Sequence, residues 1–224
     1  MFLIEKYFFM NKNYKCVLFD LDGTIIDSGP DLIDSLNYAL QLENFNHIDE
    51  NILGSLVGGG AKAMIEKALK HLNKEVNKNK LELMISSFLE FYLKNCSIKS
   101  KLYGNVISTL QIIKPKFKIG LCTNKKQHLT EKILRDFKIE KYFDFILGSS
   151  TNLKLKPDTE MLDFSLKKLN CSPIHSVMVG DSGNDITPAK ELGMTSVFVT
   201  YGYGELDNLM KPDFIIKEFN KVCE

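Results

Sequence analysis

The sequence predicts an α/β fold: a doubly wound, Rossmann-like parallel sheet interrupted by an α-helical insertion. Three observations point there. Short apolar runs, "CVLF" at 16–19, "FKIGLC" at 117–122, "FDFIL" at 143–147, "SVMV" at 176–179, "TSVFV" at 195–199 and "DFII" at 213–216, alternate with longer stretches of helical period. Runs apolar on both faces and separated by helices describe a parallel sheet covered on both sides. Between the first and second runs lie almost a hundred residues with no strand-like pattern and three amphipathic stripes.

Taken in chain order, the opening "MFLIEKYFFM" is apolar but broken by Glu5 and Lys6. No A-x-A-like site comes after it, so it fits neither a secretory signal nor a membrane span, and Met1 and Met10 are both candidate starts. The first run then leads into "CVLFDLDGTIID", where two acids one residue apart end a strand. Like charges there repel, so a compensating group is required.

The insertion is expected from about residue 30 to residue 97. Leu32, Ile33, Leu36, Ala39 and Leu40 form one stripe after Pro30, and Ala61, Met64, Ile65, Ala68, Leu69 and Leu72 a second. Leu81, Met84, Ile85, Phe88 and Tyr92 form the third, all at helical spacing. Such a segment can bury a small core of its own and act as a cap. The predicted organisation is a core domain of residues 1–29 and 98–224 and a helical cap domain of residues 30–97. Beyond it, helices are expected over 127–137, 159–169 and 184–192, the last with Pro188 near its first turn, where a missing N–H costs least.

Composition narrows the class. A net charge of +1 on 224 residues, with 25% charged and 44% hydrophobic residues, argues against nucleic acid or a membrane surface as a partner. Five scattered cysteines without a CxxC pair read as reduced thiols in a cytoplasmic protein. Four histidines show no ligand spacing.

In an open parallel sheet, ligands bind beyond the carboxyl ends of the strands. After the successive runs come Asp20 and Asp22, then Thr123 and Asn124, then Lys154 and Lys156, then Gly180, Asp181 and Asp185. Acids that repel become tolerable around a hard divalent cation, and Mg²⁺ prefers a few carboxylates, waters and a substrate phosphate. A lysine and a threonine hydroxyl would orient phosphoryl oxygens. Period 2 puts Asp20 and Asp22 on one side of the chain, about 7 Å apart. One can serve as nucleophile and the other as general acid and base. Lys154 and Lys156 compete for the lysine role, and Pro157 favours Lys156.

"DLDGT", "TNKK", "KPDTE" and "VGDSGND", in that order, resemble the four motifs of the haloacid dehalogenase superfamily in its phosphatase branch, with the insertion placed as in its helical-cap subclass. The resemblance implies that Asp20 forms an aspartyl-phosphate and that Asp22 protonates the leaving oxygen and then activates water. It implies further that Thr123 and the Asn124 backbone hold phosphoryl oxygens and that Lys156 bridges Asp20 and the phosphate. Asp181 would bind Mg²⁺ with Asp20 and the Asp22 carbonyl, and Asp185 would support that metal site from behind. "LVGGGAKAMIEKAL" and "VFVTYGYGELDNLMKPDFII" resemble the phosphoglycolate phosphatase branch, which implies 2-phosphoglycolate as substrate, with Gly58, Gly60 and Lys62 near its carboxylate end. Two positions depart from the pattern: Thr159 replaces a second proline after Lys156, and "LYGNV" replaces a Pro-Gly pair at the return to the core.

The expected partner is a small-molecule phosphate ester, met by a monomer or homodimer. Pyrophosphatase, nucleotidase and sugar-phosphate phosphatase or mutase readings stay open, because the insertion does not separate them. A phospho-acceptor signalling domain is the alternative from another class. "YGYG" at 201–204 is either a glycine-rich loop or a contact to substrate or partner.

Overall fold

The computed structural model describes residues 13–149, 152–206 and 211–223. The apolar opening segment and both candidate starts therefore lie outside the described residues. Six strands form one parallel sheet: β1 (Cys16–Phe19), β4 (Lys118–Lys126), β5 (Phe145–Ser149), β6 (Ser176–Gly180), β7 (Thr195–Val199) and β8 (Phe214–Ile216). Their order, β5-β4-β1-β6-β7-β8, reverses direction at β1, the crevice where doubly wound sheets bind ligands.

Strand β1 shows why both faces had to be apolar. Val17 and Phe19 join the cluster on one side of the sheet, while Cys16 and Leu18 join that on the other. All four are fully buried. Helices α5 (Val106–Ile113) and α6 (Gln127–Asp136) contribute to the first cluster, and α7 (Glu160–Leu169) and α8 (Gly183–Leu192) to the second.

Between β1 and β4 lie α1 (Gly29–Leu42), the single turn α2 (Leu53–Leu56), α3 (Gly60–His71) and α4 (Lys78–Asn95). The three stripes fall on α1, α3 and α4. Leu36, Ile65 and Phe88 are among their buried members. Their apolar interior runs without a break into the cluster on the first face of the sheet.

The segment is not free of strands, contrary to the sequence expectation. Ile26–Asp27 (β2) pairs antiparallel with Lys101–Leu102 (β3), so a two-residue ladder closes both crossings between the helices and the sheet. Strands that short carry no readable period. Two further differences concern helices. Helix α5 lacked a signal because "VISTLQII" suits strand or helix equally. Pro188 sits inside α8, in its second turn, so the Asn184 carbonyl loses its helical partner.

Asp31, in the first turn of α1, ties the second crossing down. Its buried carboxylate accepts the N–H groups of Ile98, Lys99 and Ser100 at 2.9 to 3.2 Å and the Ser100 hydroxyl at 2.5 Å. Hydrogen bonds to a charged acceptor contribute more than neutral ones, and removing the acceptor orphans several donors at once. Asp31→Ala should therefore lower the unfolding free energy in urea by about 2 kcal/mol or more, whereas Asp34→Ala, on an exposed ion pair, should cost under about 1 kcal/mol.

Candidate active site

Register brings the motifs to one edge. Phe19 stands opposite Leu121 of β4 and Val179 of β6, so the residues just beyond, Asp20, Cys122–Thr123 and Gly180–Asp181, emerge side by side. The Asp20 N–H continues the ladder onto the Val179 carbonyl at 3.0 Å. Gly23 then turns the chain at φ +80°, and a Cβ there would fall 2.1 Å from the Asp181 carboxylate. Only glycine lets the two loops approach so closely.

Lys156 lies at the centre and is 4% exposed. Its ammonium donates to Asp20 Oδ1 at 2.8 Å, Asp185 Oδ1 at 2.6 Å and the Cys122 carbonyl at 2.7 Å, which uses all three protons. Burial works against that charge, but Asp185 and Asp20 outweigh it and hold the ammonium above the ordinary lysine range. Lys154 is exposed and pairs with Asp158 and Glu160 at the surface, so it takes no part.

Asn124 has a further task that its motif did not suggest. Its side chain clamps the Lys156 backbone, donating to the carbonyl at 2.8 Å and accepting from the N–H at 2.9 Å. Thr123 is buried, and its hydroxyl oxygen accepts the Lys125 N–H at 3.2 Å. Asp158 accepts the Glu160 N–H at 3.0 Å, so Thr159 opens α7 without the second proline.

Asp20, Asp181 and Asp185 converge, with one carboxylate oxygen of each within 4.8 Å of the others. Burial first, then repulsion from Asp185, push Asp20 up to about 7 despite Lys156. Burial and repulsion from Asp185 and Asp20 push Asp181 up to about 8. Three buried acids facing one lysine leave negative charge uncompensated, and an all-oxygen donor set fits a hard divalent cation. Asp185 is committed elsewhere: beyond Lys156, its other oxygen accepts the Ser182 N–H and hydroxyl in a capping box that opens α8.

The loop at 201–204 supplies what sequence reasoning missed. The N–H groups of Tyr203 and Gly204 donate to Asp181 Oδ2 at 2.8 and 3.1 Å. The Tyr203 hydroxyl donates to Asp27 and accepts the Gly29 N–H at 2.7 Å. A Gly-Tyr-Gly sequence carries no such signal, because the Asp181 contacts are made by backbone 22 and 23 residues away and the hydroxyl contacts cross 174 and 176 residues of chain.

The Asp22 carboxylate stands outside the three-acid cluster. Its Oδ1 is 3.0 Å from the Lys125 ammonium and also accepts the Ser28 hydroxyl. Above these groups a cavity of ≈ 490 Å³ extends under the helices. Its helical side is lined by Val57, Met64, Ile85, Phe88 and Leu89, and by Gly58, Gly59 and Gly60, whose φ values are all positive. Lys62 reaches the rim, exposed and paired with Glu66 at 3.7 Å.

A model of the haloacid dehalogenase-like hydrolases matches residues 17–199. The chain belongs to this family. It is 35% identical to a phosphoglycolate phosphatase of Colwellia psychrerythraea over 92% of this chain and 94% of that one. It is 34% identical to one of Vibrio cholerae over 95% and 97%. A crystal structure of a predicted phosphoglycolate phosphatase from Haemophilus somnus superposes with a TM-score of 0.86, at 31% identity and covering 95% and 97% of the two chains. The protein is thus a phosphatase of this hydrolase family, and the phospho-acceptor alternative falls away.

The raised carboxylates give a pH signature. An acid whose folded pKa exceeds its unfolded value stabilises the fold below the unfolded pKa and loses that contribution as pH rises through the folded value. In EDTA, the melting temperature should fall between about pH 5 and about pH 9, as Asp20 and Asp181 ionise near 7 and 8. Saturating Mg²⁺ should raise it more at the alkaline end, because the cation replaces the protons. A Mg²⁺ effect of the same size at both ends, read by differential scanning fluorimetry, would count against the three-acid site.

Proposed function

We propose that the chain is a Mg²⁺-dependent phosphomonoesterase acting on 2-phosphoglycolate through an aspartyl-phosphate on Asp20. The observation that carries this reading is the bridge from Lys156 to Asp20 and Asp185 at the mouth of the crevice, beside Asp181. Lys156 neutralises and fixes the Asp20 carboxylate, leaving it aimed rather than free to rotate. Asp20, Asp181 and the Asp22 carbonyl would hold the cation, which supplies neutralising charge to the phosphoryl group when bound.

An Asp20 oxygen attacks phosphorus, and the bond from phosphorus to the ester oxygen breaks. Asp22 gives its proton to that leaving oxygen. Water then attacks the aspartyl-phosphate while Asp22 takes its proton, so phosphate departs and both carboxylates are restored. Thr123 and the Asn124 backbone hold the phosphoryl oxygens. The helical insertion, residues 30–97, acts as the cap, and its apolar wall excludes water from the reaction.

Gly58 and Gly60 are assigned to the substrate's carboxylate end, since positive-φ glycines present N–H groups to an anion. The relatives named for phosphoglycolate support that choice. The cavity volume also admits nucleoside or hexose phosphates, which makes a wider ester specificity the second reading. Free cysteines among the described residues support a cytoplasmic setting.

A phosphate-release panel of 2-phosphoglycolate, pyrophosphate, nucleoside monophosphates and hexose phosphates tests both readings. EDTA should abolish release, and Asp20→Asn should lower kcat by on the order of 10³-fold or more. Full activity of Asp20→Asn would overturn the covalent route. Replacing Gly58 and Gly60 together by Ala should shift preference among the esters and leave the Mg²⁺ requirement alone. The strained left-handed alanines cost about 1–2 kcal/mol each, which a melting curve must show the fold survives. Equal losses on every ester, with weaker metal binding, would remove the specificity role.

A further inference from the structure

Lys125 is a second buried cation at the site, and the reaction as derived leaves it without a part. Its side chain is 5% exposed. The ammonium lies 3.0 Å from Asp22 Oδ1, donates to the Tyr92 hydroxyl at 2.7 Å and sits 4.4 Å from the centre of that ring. Lys125 belongs to β4, Asp22 to the loop after β1, and Tyr92 to the last turn but one of α4. The two lysines thus divide the acids, Lys156 taking Asp20 and Asp185 and Lys125 taking Asp22.

Burying an ammonium is costly unless every proton finds an acceptor. Here one acceptor comes from the sheet edge and the other from the helical insertion. Both Lys125 and Ser28 meet Asp22 at Oδ1, and neither bond occupies Oδ2. That fixes the carboxylate by one oxygen and leaves the other to exchange a proton.

We propose that Lys125 is a positioning residue that orients Asp22 for proton transfer, and that Tyr92 makes this orientation depend on the seating of the insertion over the site. The inference rests on Asp22 being the proton donor. If α4 lifts, Lys125 loses its hydroxyl partner and the face of the ring, and Asp22 loses its anchor. Water-exposed and closed states would then differ in their competence to protonate the leaving oxygen.

The test compares kcat/KM for an alkyl phosphate, 2-phosphoglycolate or glycerol phosphate, with that for p-nitrophenyl phosphate. An alkoxide needs a proton to leave, whereas p-nitrophenolate departs with little help, and kcat/KM reports the step in which it leaves. Lys125→Met should lower kcat/KM for the alkyl ester about a hundredfold, and for the aryl ester several times less. Tyr92→Phe, which keeps the ring and the packing, should show the same asymmetry at about tenfold, with the loss in kcat rather than KM. Should Lys125→Met fail to fold, Tyr92→Phe carries the test. Equal losses on both esters, or none, would overturn the inference. Asp22→Asn is the reference: symmetry there removes the proton-donor reading itself, while asymmetry there with symmetric Lys125 and Tyr92 variants removes only the proposal.

Discussion

The architecture of the site depends on one buried charge, the Lys156 ammonium. A cation at 4% exposure survives only with its full complement of acceptors, and Asp20, Asp185 and the Cys122 carbonyl supply them. Each comes from a different place: the end of β1, the first turn of α8 and β4. The three segments cannot drift apart without stranding the charge. Asn124 adds a lock on the Lys156 backbone, so the loop between β5 and α7 is held from two sides. Electrostatics here does the positioning that packing does elsewhere, and it leaves a surplus of negative charge for a cation to satisfy.

The second constraint is mechanical. Tyr203 joins Asp181 to the point where the helices leave the sheet, since its N–H holds Asp181 while its hydroxyl holds Asp27 and Gly29. Asp31 holds the return crossing through the backbone of residues 98–100. The insertion is therefore hung from two anchored crossings joined by the β2–β3 ladder. Motion between helices and sheet would be confined to a few residues there.

Legibility of the sequence tracked the physics of each feature. The six-strand sheet could be read because a strand buried on both faces must be apolar throughout, as in "CVLF" and "SVMV". The stripes on α1, α3 and α4 were visible because burial on one face imposes a 3.6-residue period. Asp20, Thr123, Lys156 and Asp181 could be found because each follows an apolar run, and register brings Asp20, Thr123 and Asp181 together, although β4 itself runs on past Thr123 to Lys126. The features that escaped were carried by backbone or by distance. Asp181 is held by two loop N–H groups, which no side chain announces, and the β2–β3 ladder is too short for any period. Asn124 could be read only for its backbone and Lys125 not at all, because their side chains meet partners 32 and 33 residues away.

The two lysines explain why the acids at the end of β1 can differ in role although they are one residue apart. Asp20 lies deep, its charge opposed by burial and by Asp185 and supported by Lys156, so it remains available near neutrality without being quenched. Asp22 lies nearer the cavity, met by a cation from the sheet and a hydroxyl from the first crossing. Environment rather than residue type would separate the proposed nucleophile from the proposed proton carrier. The apolar wall of α3 and α4 then matters twice: it lowers the dielectric around both pairs, and through Tyr92 it supplies part of the second pair's support. On the proposed mechanism such a site would be complete only with its helices in place, so selection of substrate and assembly of the acid would be properties of the same closed state.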